Sequence, residues 1–240
     1  MAYSWHKIVP FVGDLTPAPE IADPNAVVLF GAYTMWKYAQ AKGLKPGVFR
    51  IAPFVHQTAW HPYLLNGADA LFLTLSDIPE RLPDDGTDWF LRPVADSKEQ
   101  PGTVKSAAEI RALAQRVLAI DPGDIPRGSL RLDTELMLTP PARIEREWRI
   151  WVVEDRIVTY SLYKEGARVT YRHEIDPDAM AFVERLVAVN PDDAPAYVID
   201  ICRTFEGLRM LETNCINAAG FYEADLEKLV RAINAMSRAS

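Results

Sequence analysis

Two cysteines in 240 residues, Cys202 and Cys215, and four histidines leave little material for a disulfide framework or a zinc site. The cysteines show no zinc-type spacing and no two histidines stand as H-x-x-x-H, which excludes the usual zinc hydrolase patterns and points to a reducing, cytoplasmic setting. Long apolar runs are missing as well. The run at residues 8–12 stops at Gly13 and Asp14, and nowhere do about 18 apolar residues occur together, so neither an export signal nor a membrane span is read. Surplus positive charge is also absent: 26 Lys and Arg stand against 33 Asp and Glu, a formal net charge of -7. That balance excludes a general nucleic-acid or membrane-surface binder and means that any phosphate site must be built from a few placed cations. No internal repeat or low-complexity tract is visible. What is present is 49% hydrophobic residues, enough to bury the core of one large domain or of two to three small subdomains.

Along the chain, residues 1–85 read as a small α/β unit. Residues 26–30 form a compact apolar strand, 33–40 have helical character ended by Gly43, and 70–75 make a second buried strand. Pro46, Pro53 and Pro62 break the segment between them. The stretch 78–88, IPERLPDDGTD, clusters proline, glycine and acids without hydrophobic periodicity and marks a boundary. Residues 86–139 then open with the short strand WFLRP and the polar loop VADSKEQPGTV. A helix follows, signalled by a capping box of Ser106 and Glu109 and by Ile110, Leu113, Ala114, Val117 and Leu118 at the spacing of one buried face. Residues 130–138 read as a strand, broken by Pro140 and Pro141. Residues 140–240 begin with an antiparallel pair, 148–153 and 156–162, turning at Glu154 and Asp155. A helix starting at Asp176 and Pro177, a hairpin, and a closing helix over 222–237 complete the chain.

The hairpin, YVIDICRTFEGLRMLETNCINAAG over 197–220, carries the clearest chemistry. A turn about Glu206 sets Asp200 opposite Glu212, and Asn214, two residues on, projects with Glu212. Ile199, Ile201, Met210 and Leu211 are strongly apolar and point to a buried sheet. Facing carboxylates in such a sheet need a partner, and a hard cation such as Mg²⁺ is one that oxygen ligands suit. The sequence near the hairpin supplies no other. In EREWRIWVV, Glu147 and Arg149 share one strand face, while Trp148, Ile150 and Val152 fill the other.

The order of these motifs resembles the ATP-grasp superfamily from Trp89 to the C-terminus, most specifically in WFLRPVADSK, EWRIWVV and LETNCINAAGFY. The resemblance implies an N-terminal α/β subdomain followed by two α+β subdomains that hold ATP between them. Arg92 and Lys98 fall on the family's phosphate-binding cations, with arginine at the first place where lysine is usual. Glu135, Met137 and Leu138 fall on the linker strand that meets adenine and ribose. Arg149, with Lys98, takes the catalytic place that neutralises charge as the γ-phosphate moves. Lys164 is a further candidate for phosphate or substrate, and Asp200, Glu212 and Asn214 match the ligands of Mg²⁺.

The implied activity is an ATP- and Mg²⁺-dependent ligase that joins a carboxylate to an amine or another nucleophile through an acyl phosphate. Its partners would be small-molecule or peptide carboxylates and amines, with a homodimer among the expected assemblies. Kinase-type transfer on the same fold and a non-catalytic nucleotide-binding module are the alternatives.

Overall fold

The computed structural model describes residues 3–9, 14–32, 35–65, 67–95, 102–126, 129–191 and 194–236. The chain divides into two compact units, one made of Met1–Ala52 with Ile144–Ser240 and the other of Pro53–Arg143. The first division therefore falls near 52 rather than near 85. The physical reason lies in residues 78–88, which are no linker: Ile78 and Leu82 are buried in the second unit's core, and Arg111 donates to the Leu82 carbonyl and to Asp84 at 2.7 Å.

The N-terminal part of the first unit holds β1 (Lys7–Ile8), β2 (Leu15–Thr16), β3 (Val27–Val28), helix α1 (Met35–Lys42) and β4 (Pro46–Gly47). β1 pairs with β2 antiparallel and β3 with β4 parallel. The turn into β4 needs its glycine: Gly47 has φ of 67°, and a Cβ there would stand 2.8 Å from both the Ala39 Cβ and the Leu44 carbonyl oxygen.

The second unit contains β5 (Leu71–Thr74), α2 (Ile78–Arg81), β6 (Asp88–Pro93), β7 (Thr103–Ser106), α3 (Ala107–Leu118) and β8 (Glu135–Thr139). Its sheet is antiparallel in the order β5-β8-β6-β7. Leu73, Leu91, Leu136 and Leu138 from one sheet face pack with Ile110 and Ala114 of α3. The Ser106–Glu109 capping box forms as the sequence indicates, with Glu109 N–H donating to Ser106 Oγ at 3.3 Å and Ser106 N–H to Glu109 Oε2 at 2.9 Å. β7 stands where the sequence reads as loop, since four residues with a single strong hydrophobe carry no period-two signal. β8 starts later than the expected residue 130, because Arg131 and Thr134 bond each other in a turn.

The remainder of the first unit is β9 (Arg146–Val153), β10 (Arg156–Glu165), β11 (Arg168–Arg172), α4 (Pro177–Val189), β12 (Ala196–Thr204), β13 (Gly207–Cys215) and α5 (Leu226–Met236). They build an antiparallel sheet in the order β11-β10-β9-β12-β13. Glu154 and Asp155, with φ of 48° and 54°, make the tight turn between β9 and β10. One sheet face packs Trp151, Val153, Ala196 and Val198 beneath Leu229 and Ile233 of α5. α4 packs on β12, burying Ala179, Phe182, Val183, Leu186 and Val187. α5 begins four residues later than expected, because Tyr222 has φ of 50° and cannot sit in a right-handed helix. Among the described residues no helix is long and apolar enough to cross a membrane.

Candidate functional site

The α5-facing side of the five-stranded sheet is apolar at one end and charged at the other. At the charged end one row crosses four strands: Ser161 on β10 lies opposite Arg149 on β9, Arg149 opposite Asp200 on β12, and Asp200 opposite Glu212 on β13. All four side chains share this face through the period of two.

The Asp200–Glu212 pairing depends on a bulge. The Thr204–Gly207 and Ile201–Met210 pairs alone would continue to Leu211 opposite Asp200. An irregularity between Asp200 and Ile201 shifts the register by one and brings Glu212 there instead.

Asp200 is 1% exposed and is held by Arg149, whose Nε donates to Oδ1 at 2.8 Å and whose Nη2 donates to Oδ2 at 2.6 Å. The hairpin's own sequence supplies no partner for this carboxylate, as read above, but the fold does: the arginine lies on the neighbouring strand, 51 residues away in sequence. Asn214 Nδ2 donates to Glu212 Oε1 at 2.9 Å and to Asp200 Oδ2 at 3.4 Å. Burial pushes the Asp200 carboxyl up to about 6 against the pull of Arg149, and the Glu212 and Glu147 carboxylates add to the rise. For Arg149, burial would favour the neutral form, but Asp200 outweighs it and raises the guanidinium above its ordinary value.

A second cluster adjoins the row. Glu147, also buried, accepts from Tyr163 Oη at 2.7 Å and from Lys164 Nζ at 2.6 Å. Burial, with Asp200 and Glu147 nearby, raises the Tyr163 phenol well above its ordinary value. Tyr163 and Tyr222 stack at 5.1 Å, and the Arg149 guanidinium stands 4.9 Å from the Tyr222 ring and 5.7 Å from the Tyr163 ring. Neither tyrosine is singled out by the sequence. The position of Tyr163 beside Lys164 is the available signal, whereas Tyr222 approaches Arg149 through a backbone conformation that no pattern encodes.

The donor set suits a hard divalent cation. Asp200 and Glu212 offer carboxylate oxygens and Asn214 its amide oxygen, its Nδ2 being turned to the two carboxylates, and with Glu147 the carboxylates number three against Arg149 and Lys164. Among the described residues no group of three or more His, Cys, Asp or Glu side chains converges as a metal site. A cation here would draw its remaining ligands from a bound substrate or water.

The other expected residues lie in the second unit. Arg92 is half-buried with its guanidinium 5.1 Å from the Phe54 ring, and it is paired in register with Met137. Glu135 is exposed and stands 3.6 Å from His56 Nε2. Arg92, Glu135 and Met137 share the sheet face opposite the α3 core, whereas the Leu138 side chain turns into that core, so it is the backbone of Leu138 that the expected adenine contact concerns. Lys98 lies outside the described residues. The cysteines are buried: Cys215 Sγ donates to the Phe49 carbonyl at 3.2 Å, and burial pushes the Cys202 thiol up to about 12. Asn217 ties the N-terminal segment to the sheet end, accepting from Phe49 N–H at 2.8 Å and donating to the Leu29 carbonyl at 2.7 Å.

A family model describing an ATP-grasp domain, the third family of its clade, matches residues 37–233. The solved structure of D-alanine–D-alanine ligase from Bacillus anthracis complexed with ATP matches with a TM-score of 0.55 at 10% identity, covering 87% of this chain and 78% of that one. D-cycloserine synthetase DcsG gives a TM-score of 0.49 at 12% identity over 79% of this chain and 70% of that one. The ATP-grasp ligase PsnB with precursor peptide PsnA2 and AMPPNP gives 0.42 at 14% identity over 85% of this chain and 65% of that one. No curated protein matches in sequence.

Proposed function

Because the chain belongs to this family of ATP-grasp domains, we propose that it is an ATP- and Mg²⁺-dependent ligase joining a carboxylate to an amine or other nucleophile. The observation that carries this reading is the row of buried Arg149 and Asp200 with half-buried Glu212 and the adjoining Asn214, an arginine and an oxygen donor set side by side on one sheet face. Phosphoryl transfer needs little covalent help from a protein and depends on positioning and on positive charge, which Arg149 and a cation held by the carboxylates would supply together.

Asp200, Glu212 and Asn214 would hold Mg²⁺, which when bound neutralises phosphate charge and orients the transferred group. Arg149, anchored to Asp200 through two of its N–H groups, would present its charge to the transferred group. Lys164, its ammonium held by Glu147, would meet phosphate or substrate, and Arg92 and Lys98 would bind phosphate oxygens. Glu135 and Met137 are assigned to the nucleoside. A carboxylate phosphorylated by ATP would then be attacked by the nucleophile, releasing phosphate and leaving ADP. The substrates are assigned to small-molecule or peptide carboxylates and amines, and the setting to the cytoplasm.

The test is incubation of the purified protein with ATP, Mg²⁺ and a panel of amino acids and short peptides, following ADP, phosphate and product mass. ADP with a new amide is the expected result. A phosphorylated product that accumulates would assign a kinase, and ATP binding with no turnover on any substrate would assign a nucleotide-binding module.

A further inference from the structure

We propose that Tyr222 is a positioning residue for Arg149, a role whose use in catalysis rests on the ligase reading but whose existence does not. The bond pair to Asp200 fixes two guanidinium N–H groups at 2.8 and 2.6 Å, yet such a pair tilts readily about the line joining the two carboxylate oxygens. The rings that can oppose this tilt are those of Tyr222, 4.9 Å from the guanidinium, and Tyr163, 5.7 Å away. The carbonyl of Gly220, two residues before Tyr222, accepts from the Nη1 that Asp200 does not engage, at 3.4 Å.

The segment bearing Tyr222 is built for this approach. Tyr222 has φ of 50°, a conformation that bulky side chains rarely adopt and that persists only when the surroundings impose it. Its ring stacks on Tyr163 at 5.1 Å and 22° and on Tyr171 at 4.9 Å and 13°. A Cβ at Gly220 would come within 3.2 Å of the ring, so the close passage of the backbone suits glycine there. The residues just after Tyr222 are pinned to β10: Glu223 N–H donates to Ser161 Oγ at 3.3 Å and Asp225 N–H to Thr159 Oγ1 at 2.8 Å. Ser161 is itself the member of the charged row next to Arg149, so the segment and the arginine are referenced to the same strand.

The role is tested by ¹⁵N relaxation of the arginine Nε–Hε groups in the full chain without nucleotide or metal, with Arg149→Lys assigning the signal. In the wild type and in Tyr222→Phe, the Arg149 Nε order parameter is expected near the rigid value of about 0.85, and in Tyr222→Leu it is expected to fall below about 0.6. Arg203, held by Asp176 and Asp178 at 3.0 and 2.8 Å on the opposite face of the sheet, against the Trp148 ring, serves as the control and should not change. An Arg149 order parameter that stays rigid in Tyr222→Leu, or an equal fall at Arg203, would overturn the proposal. If Tyr222→Leu does not fold, Tyr171→Ala, at a half-exposed position, removes the outer ring and should lower the Arg149 value partway. No change there overturns the proposal. Failure of the ligase reading would be seen separately, as no amide product from the wild type with ATP and Mg²⁺ while Arg149 still becomes mobile in Tyr222→Leu.

Discussion

The four-stranded sheet of the second unit packs an apolar face on α3 and leaves Glu135 exposed and Arg92 half-buried on the other, whereas the five-stranded sheet buries Glu147, Arg149 and Asp200 in the middle of one face. The first arrangement follows from alternation along each strand and is stabilised by removal of apolar surface from water. The second is costly unless every charge is partnered, and it persists because Arg149 meets Asp200 and Lys164 meets Glu147. The contrast shows where stability and chemistry separate in this fold: one sheet is held by its core, and the other carries desolvated charge that folding alone does not require.

The largest effect should come from breaking the buried pair. Arg149→Met leaves Asp200 desolvated and unpaired and is expected to lose about 3–5 kcal/mol in chemical denaturation, with Arg149→Met/Asp200→Leu regaining most of it. A single-variant loss below about 1 kcal/mol would remove the distinction between the two sheets. In the apolar sheet, Leu138→Ala should cost about 2–5 kcal/mol while leaving Mg²⁺-ATP affinity within about twofold. Lower affinity at unchanged stability would place the Leu138 side chain in the nucleotide site. Ser106→Ala, which removes the α3 N-cap, should cost about 1 kcal/mol by thermal unfolding and leave turnover alone. Lys164→Met, which leaves the buried Glu147 with its Tyr163 bond, should raise the KM for ATP or for the carboxylate. Unchanged kinetics would confine Lys164 to pairing with Glu147.

Much of the four-stranded sheet was legible because β5, β6 and β8 are compact, largely apolar runs and its helix carries a capping box. Strands β7 and β11 were not, since they are short and mostly polar or exposed. The hairpin and its carboxylates were legible from strand period alone, yet the pairing of Asp200 with Glu212 rests on a bulge rather than on a turn centred at Glu206. A second irregularity acts between β9 and β10. The two-residue turn at Glu154 and Asp155 would set Tyr160 opposite Arg149, and a shift between Ile157 and Thr159 places Ser161 there. Each one-residue shift changes which face a side chain occupies. The Arg149–Asp200 bond was missed for a different reason: both residues were identified, but the strand order β9-β12 that joins them is a property of the folded sheet.

The central claim, that Asp200, Glu212 and Asn214 hold Mg²⁺ together with ATP, is tested most directly by calorimetric titration of ATP into wild type and Glu212→Gln, each with and without Mg²⁺. The account predicts that Mg²⁺ tightens ATP binding to the wild type at least about tenfold, that Mg²⁺ alone binds weakly, and that Glu212→Gln keeps its fold and its Mg²⁺-free affinity but loses the Mg²⁺-dependent gain. An undiminished gain in Glu212→Gln would contradict it.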